Sequence, residues 1–325
     1  MSDALEFAVG LVLLLVGGRL LVSASVDTAK RLDVSPLVVG LTLVAWGTSA
    51  PEMALNLISA SKGRGDLALG NVVGANICNM ALVLGVCALM RPLLVQERLV
   101  RVEIVLNAVG LSIMAALGLT VGFERFFPGL LLLAFGVYST WTVMSALRGN
   151  GPGEDASHAG LGDDPTREKH PMGWLMIVSC FIGGLTLLSI GGSLASDGAS
   201  GLAINLGVPA SVVGVTIVSI GTTLPELTTS YFAIRRGQTD LAMGNAIGSC
   251  MFNAGAIFGI TGLIAPPETG AAMTLPIAYM GVLAVVLVPI SRTNKRRVSR
   301  IEGTVLLASY AAFLLVSGLS ALSGR

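Results

Sequence analysis

The chain has 325 residues, 53% of them hydrophobic and only 12% charged, with a formal net charge of +1 and a mean hydropathy of +0.81. Soluble proteins carry about 25% charged residues, so this chain has too little polar surface to cover a globule in water. Its near-neutral charge argues against nucleic acid as a partner, and the sequence reads as an integral membrane protein whose surroundings are the lipid bilayer.

Ten apolar segments follow one another, each long enough to cross a bilayer. They run over roughly 4–29, 36–60, 66–90, 100–122, 126–147, 172–202, 209–234, 240–265, 271–291 and 302–321. The first begins acidic in "MSDALEFAVG" and continues apolar, which fits a first span better than a cleaved signal peptide. One connection is long. Residues 148–171, "RGNGPGEDASHAGLGDDPTREKHP", are rich in Gly, Pro and charge and read as a flexible linker. The chain thus divides into 1–147, a linker at 148–171, and 172–325. The acids Glu154, Asp155, Asp163, Asp164 and Glu168 read as a solvated loop, with a weak regulatory Ca²⁺ site as a lesser reading. His158 and His170 share that loop without an evident partner.

Basic residues sort the loops. With the N-terminus outside, the inner loops hold Lys30, Arg31, Arg91, Arg98, Arg101, Arg148, Arg167, Lys169, Arg235, Arg236, Arg292, Lys295, Arg296, Arg297 and Arg300. The outer side holds Lys62, Arg64, Arg125 and Arg325, and Arg19 sits within the first span as a snorkelling or gate-lining charge. This asymmetry predicts both termini outside and the linker inside.

The sequence repeats itself at an offset of 174 residues. Gly47-Thr48 meets Gly221-Thr222, Pro51-Glu52 meets Pro225-Glu226, Asp66-Leu67-Ala68 meets Asp240-Leu241-Ala242, and Asn79 meets Asn253. From Gly40 to Gly85, 16 of 46 positions are identical without a gap. Two apolar helices alike by chance would match Leu with Val, not Pro-Glu with Pro-Glu. Five spans per half force the second half to enter from the opposite side. The expected fold is therefore all-α, with ten transmembrane helices in two inverted five-helix repeats and broken helices 2 and 7. Inverted repeats with interrupted helices mark transporters that bind cargo near the midplane.

Pro51 and Pro225 each lack an N–H and clash with the carbonyl four residues back, that of Gly47 or Gly221. A kink is expected, turning backbone oxygens near Ala45–Gly47 and Ser219–Gly221 away from the helix. A lone intramembrane proline is more often a packing kink, but here a glutamate follows it. A carboxylate at mid-membrane costs roughly 2.5–3.5 kcal/mol on insertion scales. Two of them facing each other repel unless a cation or a proton lies between. The available donors are oxygens: Glu52, Glu226, the amides of Asn79 and Asn253, the hydroxyls of Thr48, Ser49, Thr222, Thr223 and Ser249, and the freed carbonyls. Oxygen-only donors suit small hard cations such as Ca²⁺. A proton-sharing structural Glu pair is the bland alternative.

Asn79 and Asn253 read as ligands before interhelical glue, whereas Asn71, Asn245, Asp66 and Asp240 read as helix caps. Gly70, Gly74, Gly244 and Gly248 form two GxxxG patterns for close helix approach. Cys78, Cys87, Cys180 and Cys250 lie in apolar runs and read as small buried hydrophobes. The membrane segments hold no Ser/His, Cys/His or HExxH arrangement, so an enzyme is disfavoured and no cofactor is expected.

At "GTSAPE" with "GDLALGNVVGANICN", and at "GTTLPE" with "TDLAMGNAIGSCMFN", the chain resembles the calcium/cation antiporters, in the sodium/calcium exchanger branch. The resemblance covers both halves. It implies a core from helices 2, 3, 7 and 8, with helices 1 and 6 sliding across it. It implies Glu52 and Glu226 as shared Ca²⁺ and Na⁺ ligands and Asn79 at the centre. Thr48, Ser49, Thr222, Thr223, Ser249 and the carbonyls of Ala45 and Ser219 would line flanking Na⁺ sites. Two positions depart from the pattern. Asn253 stands where the branch often has Asp, and Ala75 where it often has Ser. The expected activity is Ca²⁺/Na⁺ antiport by a monomer in a prokaryotic plasma membrane. A proton/Ca²⁺ antiporter on the same fold is the main alternative, and a cation channel a lesser one.

Overall fold

A computed structural model describes residues 2–148, 172–207 and 219–323. The linker expected at 148–171 lies outside the described residues apart from Arg148, as does the first part of the seventh apolar segment. Twelve helical pieces account for the described membrane part: α1 Asp3–Leu32, α2 Pro36–Thr48, α3 Ala50–Ser61, α4 Gly65–Met90, α5 Leu99–Thr120, α6 Phe126–Leu147, α7 Trp174–Asn205, α8 Ser219–Thr222, α9 Leu224–Arg235, α10 Thr239–Ile264, α11 Ala271–Arg292 and α12 Arg300–Ser323. Among the described residues, eight are long and apolar enough to span a membrane, and the bent pair α2–α3 makes a ninth.

Helix ends recur at the sequence offset. α3 corresponds to α9 end for end, and α4 and α10 begin at Gly65 and Thr239. The turn glycines Gly63 and Gly237 match in conformation, at φ 72° and 74°. The chain reverses direction there in a left-handed turn that only glycine enters freely.

The polarity of the interior is inverted relative to a soluble protein. Large apolar side chains such as Leu133 and Val137 on α6 are about two-thirds exposed, at 66% and 63%. Glu52, Glu226, Asn76, Asn79, Asn245 and Asn253 are buried instead. Apolar groups need no shielding from lipid tails, while polar groups need protein partners.

Without a hydrophobic force between helices, close backbone approach holds them. α1 and α7 run antiparallel along their length. A Cβ at Gly17 would lie 2.8 Å from the Gly184 carbonyl oxygen, and one at Gly191 would lie 2.8 Å from the Leu14 nitrogen. At one end Asn205 Nδ2 donates to Asp3 Oδ2 (2.7 Å). At the other, Arg31 Nε donates to the Met172 carbonyl (2.6 Å) and the Met172 N–H to Asp27 Oδ2 (3.2 Å). The GxxxG of α10 packs on α2, where a Cβ at Gly244 would lie 2.7 Å from the Leu37 carbonyl oxygen. The positions that correspond to Leu37 and Leu41 in the second half, Ser211 and Val215, lie outside the described residues.

The basic loops share one face. Loops 91–98 and 293–299 meet in a two-residue antiparallel ladder, with Leu93 opposite Val298 and Leu94 opposite Arg297. This ladder departs from the purely helical expectation, because two adjacent loops pair backbone groups that would otherwise need water. Gln96 Nε2 donates to Asp240 Oδ2 (2.7 Å), joining the same loop to the start of α10.

Gly17→Leu is expected to cost about 1–3 kcal/mol through overpacking, read as a lower Tm of the purified protein in detergent. Gly136→Leu on α6 has nothing within 4 Å to strike and should leave Tm unchanged. Equal effects of the two would refute the close-contact role of the α1–α7 glycines.

Candidate cation site

The two Pro-Glu motifs break their helices. α2 and α3 meet at Ser49 at an angle of 47°. The second break falls at the corresponding Thr223, between α8 and α9. The expected proline kink is thus a full interruption. Pro51 and Pro225 lie in the first turn of the helix that follows, where the missing N–H would have had no partner. Glu52 and Glu226 then sit in the first turns of α3 and α9. That position aligns each carboxylate with the positive end of a helix dipole, and the sequence reading did not include this support.

The two glutamates come from different halves and meet in the interior. Glu52 is 3% exposed and Glu226 1%. Ser49, at the first break, donates its hydroxyl to Glu226 Oε1 (3.0 Å). The pairing of elements is also crossed. α3, which carries Glu52, packs on the turn carrying Asn253, and α9, which carries Glu226, packs on the turn carrying Asn79. Both asparagines lie in widened π-helical turns, Cys78–Val83 and Asn253–Ile257. Such turns recur at functional sites, and nothing in residue type or spacing announces them.

Unsatisfied oxygens gather on these elements. Glu52 Oε2, Glu226 Oε2, Asn79 Oδ1 and Asn253 Oδ1 are buried and have no hydrogen-bond partner among the described residues, and neither has Ser249 Oγ. Asn76 Oδ1 and Asn56 Oδ1 share that condition, and the sequence reading missed both. A buried oxygen without a donor is costly, so several beside two carboxylates form a set suited to a cation. Among the described residues no three of His, Cys, Asp and Glu come together as a metal cluster. Apart from the two carboxylates, any ligands here must be neutral oxygens.

Several expectations need correction. The Ala45 carbonyl is not freed. It accepts the Ser49 backbone N–H (3.1 Å) and the Thr48 hydroxyl (3.3 Å), because Pro51 deprives Gly47 rather than Ala45 of its donor. Ser219 opens α8, and its side chain is outside the description. Asn245 is not a helix cap. It is wholly buried, well inside α10. Its Nδ2 donates to the Glu226 carbonyl (3.2 Å) and to Ser230 Oγ (2.9 Å), and its Oδ1 accepts from Thr48 Oγ1 (3.3 Å). It therefore ties both breaks together. Asn71, also well inside its helix, is no cap either. Asp66 and Asp240 lie in first turns, one residue inside the helix, and make no capping bond.

Thr223 is buried and Thr222 half-buried. Thr222 and Cys78 line the inner end of a groove of about 990 Å³, bounded among the described residues by Asn71, Asp66 and Glu268 toward its rim. α7 covers both breaks, with Leu185 against Gly47 and Ser196 against Gly221. A third buried carboxylate, Glu103, went unnoticed in the sequence. It lies apart, held by Tyr138 Oη (3.2 Å) and by Arg98 (3.5 Å), which stacks on Trp141.

Mirrored broken helices, each ending on a buried carboxylate inside a lipid-facing helical bundle, define a membrane transporter for small cations. The chain belongs to the sodium/calcium exchanger family, whose model matches it twice, at residues 3–144 and 176–319. The putative antiporter CaxA of Alkalimonas amylolytica is 33% identical over 94% of this chain and 95% of its own length. The sodium/calcium exchanger MaX1 of Methanosarcina acetivorans is 30% identical over 94% and 96%. The inner membrane protein YrbG of Escherichia coli K12 is 32% identical over 83% and 81%. Among solved structures, the sodium-calcium exchanger NCX_Mj superposes with a TM-score of 0.79 at 28% identity, covering 97% of each chain.

Asn245→Leu should cost about 1–3 kcal/mol by removing the donor that the buried Ser230 hydroxyl accepts from, measured as a lower Tm. An unchanged Tm would show that this amide holds nothing together.

Proposed function

We propose that this chain is a secondary active antiporter that exchanges Ca²⁺ for Na⁺ at a site between its two halves. One observation carries the reading: two buried glutamates, one from each half, each follow a helix break, the Ser49 hydroxyl of the first break bonds the second glutamate, and buried oxygens on the surrounding elements have no partner among the described residues. Glu52 and Glu226 supply two negative charges, which one Ca²⁺ neutralises. Na⁺ ions compete for the same carboxylates, with Asn79, Asn253, Ser249, Thr48, Ser49, Thr222 and Thr223 offering neutral oxygens. The Ser219 carbonyl belongs to the same set, while Ala45 joins only if its helix bond opens. Ca²⁺ accepts six to eight oxygens, and the crossed packing of α3 and α9 can supply that many from both halves.

Exchange follows from electrostatics. Ionised and empty, the two carboxylates repel in a medium that screens poorly, so the barrier to switching is lowest when cations fill the site. The loaded site then opens to one side or the other as two helices slide across the core that holds it. The antiparallel pair α1–α7, clamped at both ends, is the body that slides. The expected ten spans divide into repeats at 1–147 and 172–325. The offset of helix ends and the double family match support that division. Both termini face outside and the basic face lies inward, in a prokaryotic inner membrane. The groove reaching Thr222 and Cys78 then serves as the outer approach for ions.

Glu52→Gln leaves a single carboxylate for a divalent ion. A buried charge pair broken on one side costs about 3–5 kcal/mol, so ⁴⁵Ca²⁺ uptake into vesicles with an outward Na⁺ gradient should fall at least ~100-fold. Near-normal uptake by this variant would refute the site. In wild-type vesicles, uptake should follow an imposed Na⁺ gradient and ignore H⁺ and K⁺ gradients. Uptake that survives collapse of the Na⁺ gradient and follows pH would replace Na⁺ by H⁺ as the driving ion.

A further inference from the structure

The connection between α11 and α12 uses a conformation that its length does not require. Asn294, Lys295 and Arg296 all adopt left-handed backbone angles, at φ 47°, 59° and 61°. Side chains other than glycine disfavour this region, and runs of it are rare. The turn closes with the Arg297 N–H on the Thr293 carbonyl (3.2 Å). It is then braced from two sides. Arg297 and Val298 pair with Leu94 and Leu93, and the Val95 N–H donates to the Arg296 carbonyl (2.8 Å). Glu302 accepts from Asn294 Nδ2 (3.3 Å), from the Ser299 N–H (2.7 Å) and from Ser299 Oγ (2.8 Å), while the Glu302 N–H returns a bond to Ser299 Oγ (3.3 Å). This reciprocal arrangement is a capping box at the start of α12.

The acids nearby are already engaged. Glu97 pairs with Arg101 and with Arg296 (3.0 Å), and Glu302 is held as above. Arg292, Lys295, Arg297 and Arg300 make no ion pair among the described residues, and all four are exposed. Orienting the chain in a membrane needs only the number of basic residues, which a loose loop would satisfy equally well. Here a strained, doubly braced turn sets the backbone of Lys295 and Arg297, with Arg292 and Arg300 on the ends of the two spanning helices that flank it.

We propose that this turn is a binding site for the phosphate groups of anionic phospholipids in the adjoining leaflet. Clusters of basic side chains next to membrane spans attract anionic lipid, and fixed guanidinium groups bind phosphate with directional paired bonds. The leaflet is the inner one if the orientation proposed above holds. Symmetrical vesicles make the test independent of that orientation and of the transported ion.

The full chain would be reconstituted in phosphatidylcholine vesicles containing spin-labelled phosphatidylglycerol or spin-labelled phosphatidylcholine. The protein-bound fraction of each label is the readout. The wild type should prefer the glycerol lipid by roughly fivefold or more, the factor one well-placed cation supplies. The R292Q/K295Q/R297Q/R300Q variant should show no preference, and R297Q alone a reduced one if the quadruple variant does not fold. Glu302→Ala separates a built site from diffuse charge. It makes the protein more positive yet frees the turn, so the preference should fall. A preference that rises in Glu302→Ala, persists in the quadruple variant, or is abolished by millimolar inorganic phosphate would overturn the proposal.

Discussion

Lipid gives no hydrogen bonds, and that constraint organises the whole chain. A helix that breaks in a membrane exposes N–H groups at one new end and carbonyls at the other. This protein breaks two and puts both breaks in its interior, at Ser49 and Thr223. Each break makes a new helix N-terminus, and each N-terminus receives a carboxylate, Glu52 or Glu226. The proline beside each glutamate occupies the turn where it does least harm. The break, the proline and the acid are therefore one device. The partial positive charge of the helix end lowers the cost of holding a carboxylate in oil. On the proposed function, the repulsion between the two carboxylates is what a bound cation meets.

The rest of the architecture brings the two devices together. Glycines let α1 and α7 touch backbone to backbone, and α7 lies over both breaks. α10 packs on α2 through Gly244 and Gly248. The mirror relation holds for helix ends and fails for side chains. Asn245 bridges Thr48, Ser230 and the Glu226 backbone, whereas among the described residues the Nδ2 of its counterpart Asn71 has no partner and Asn56 bonds the Glu52 carbonyl (2.7 Å). Phe252 stacks on Trp46, while the residue at the equivalent position, Cys78, lies against Tyr310. Two halves of one ancestry thus hold chemically different flanks around an equivalent pair of acids.

Sequence alone reached the nine spans seen among the described residues, the mirrored motifs and the acids, because each leaves a signal in residue type. Apolar length sets a span. A Pro-Glu pair inside an apolar run is too costly to be incidental. The parts it missed depend on backbone geometry or on distant partners. The π turns at Asn79 and Asn253 need no special residue. Asn245 looks like a cap until Thr48, 197 positions away, is seen to meet it. The crossed packing of each glutamate helix on the other half's asparagine turn is a tertiary fact with no local trace. Glu103 was legible in principle, as a lone acid inside an apolar run, but its pairing with Arg98 reached across the assumed edge of a span.

The crossed arrangement bears on how such a site can alternate. If each half carried its own glutamate, asparagine and break as a closed set, the halves could move apart without disturbing either set. Instead Glu52 lies on a helix packed against the second half's turn, and Glu226 on one packed against the first half's. The Ser49 hydroxyl reaches across to the Glu226 carboxylate. Any relative shift of the halves changes the surroundings of both carboxylates at once. On the proposed exchange reaction, the occupancy of this shared interface is what sets how readily α1–α7 can slide across it.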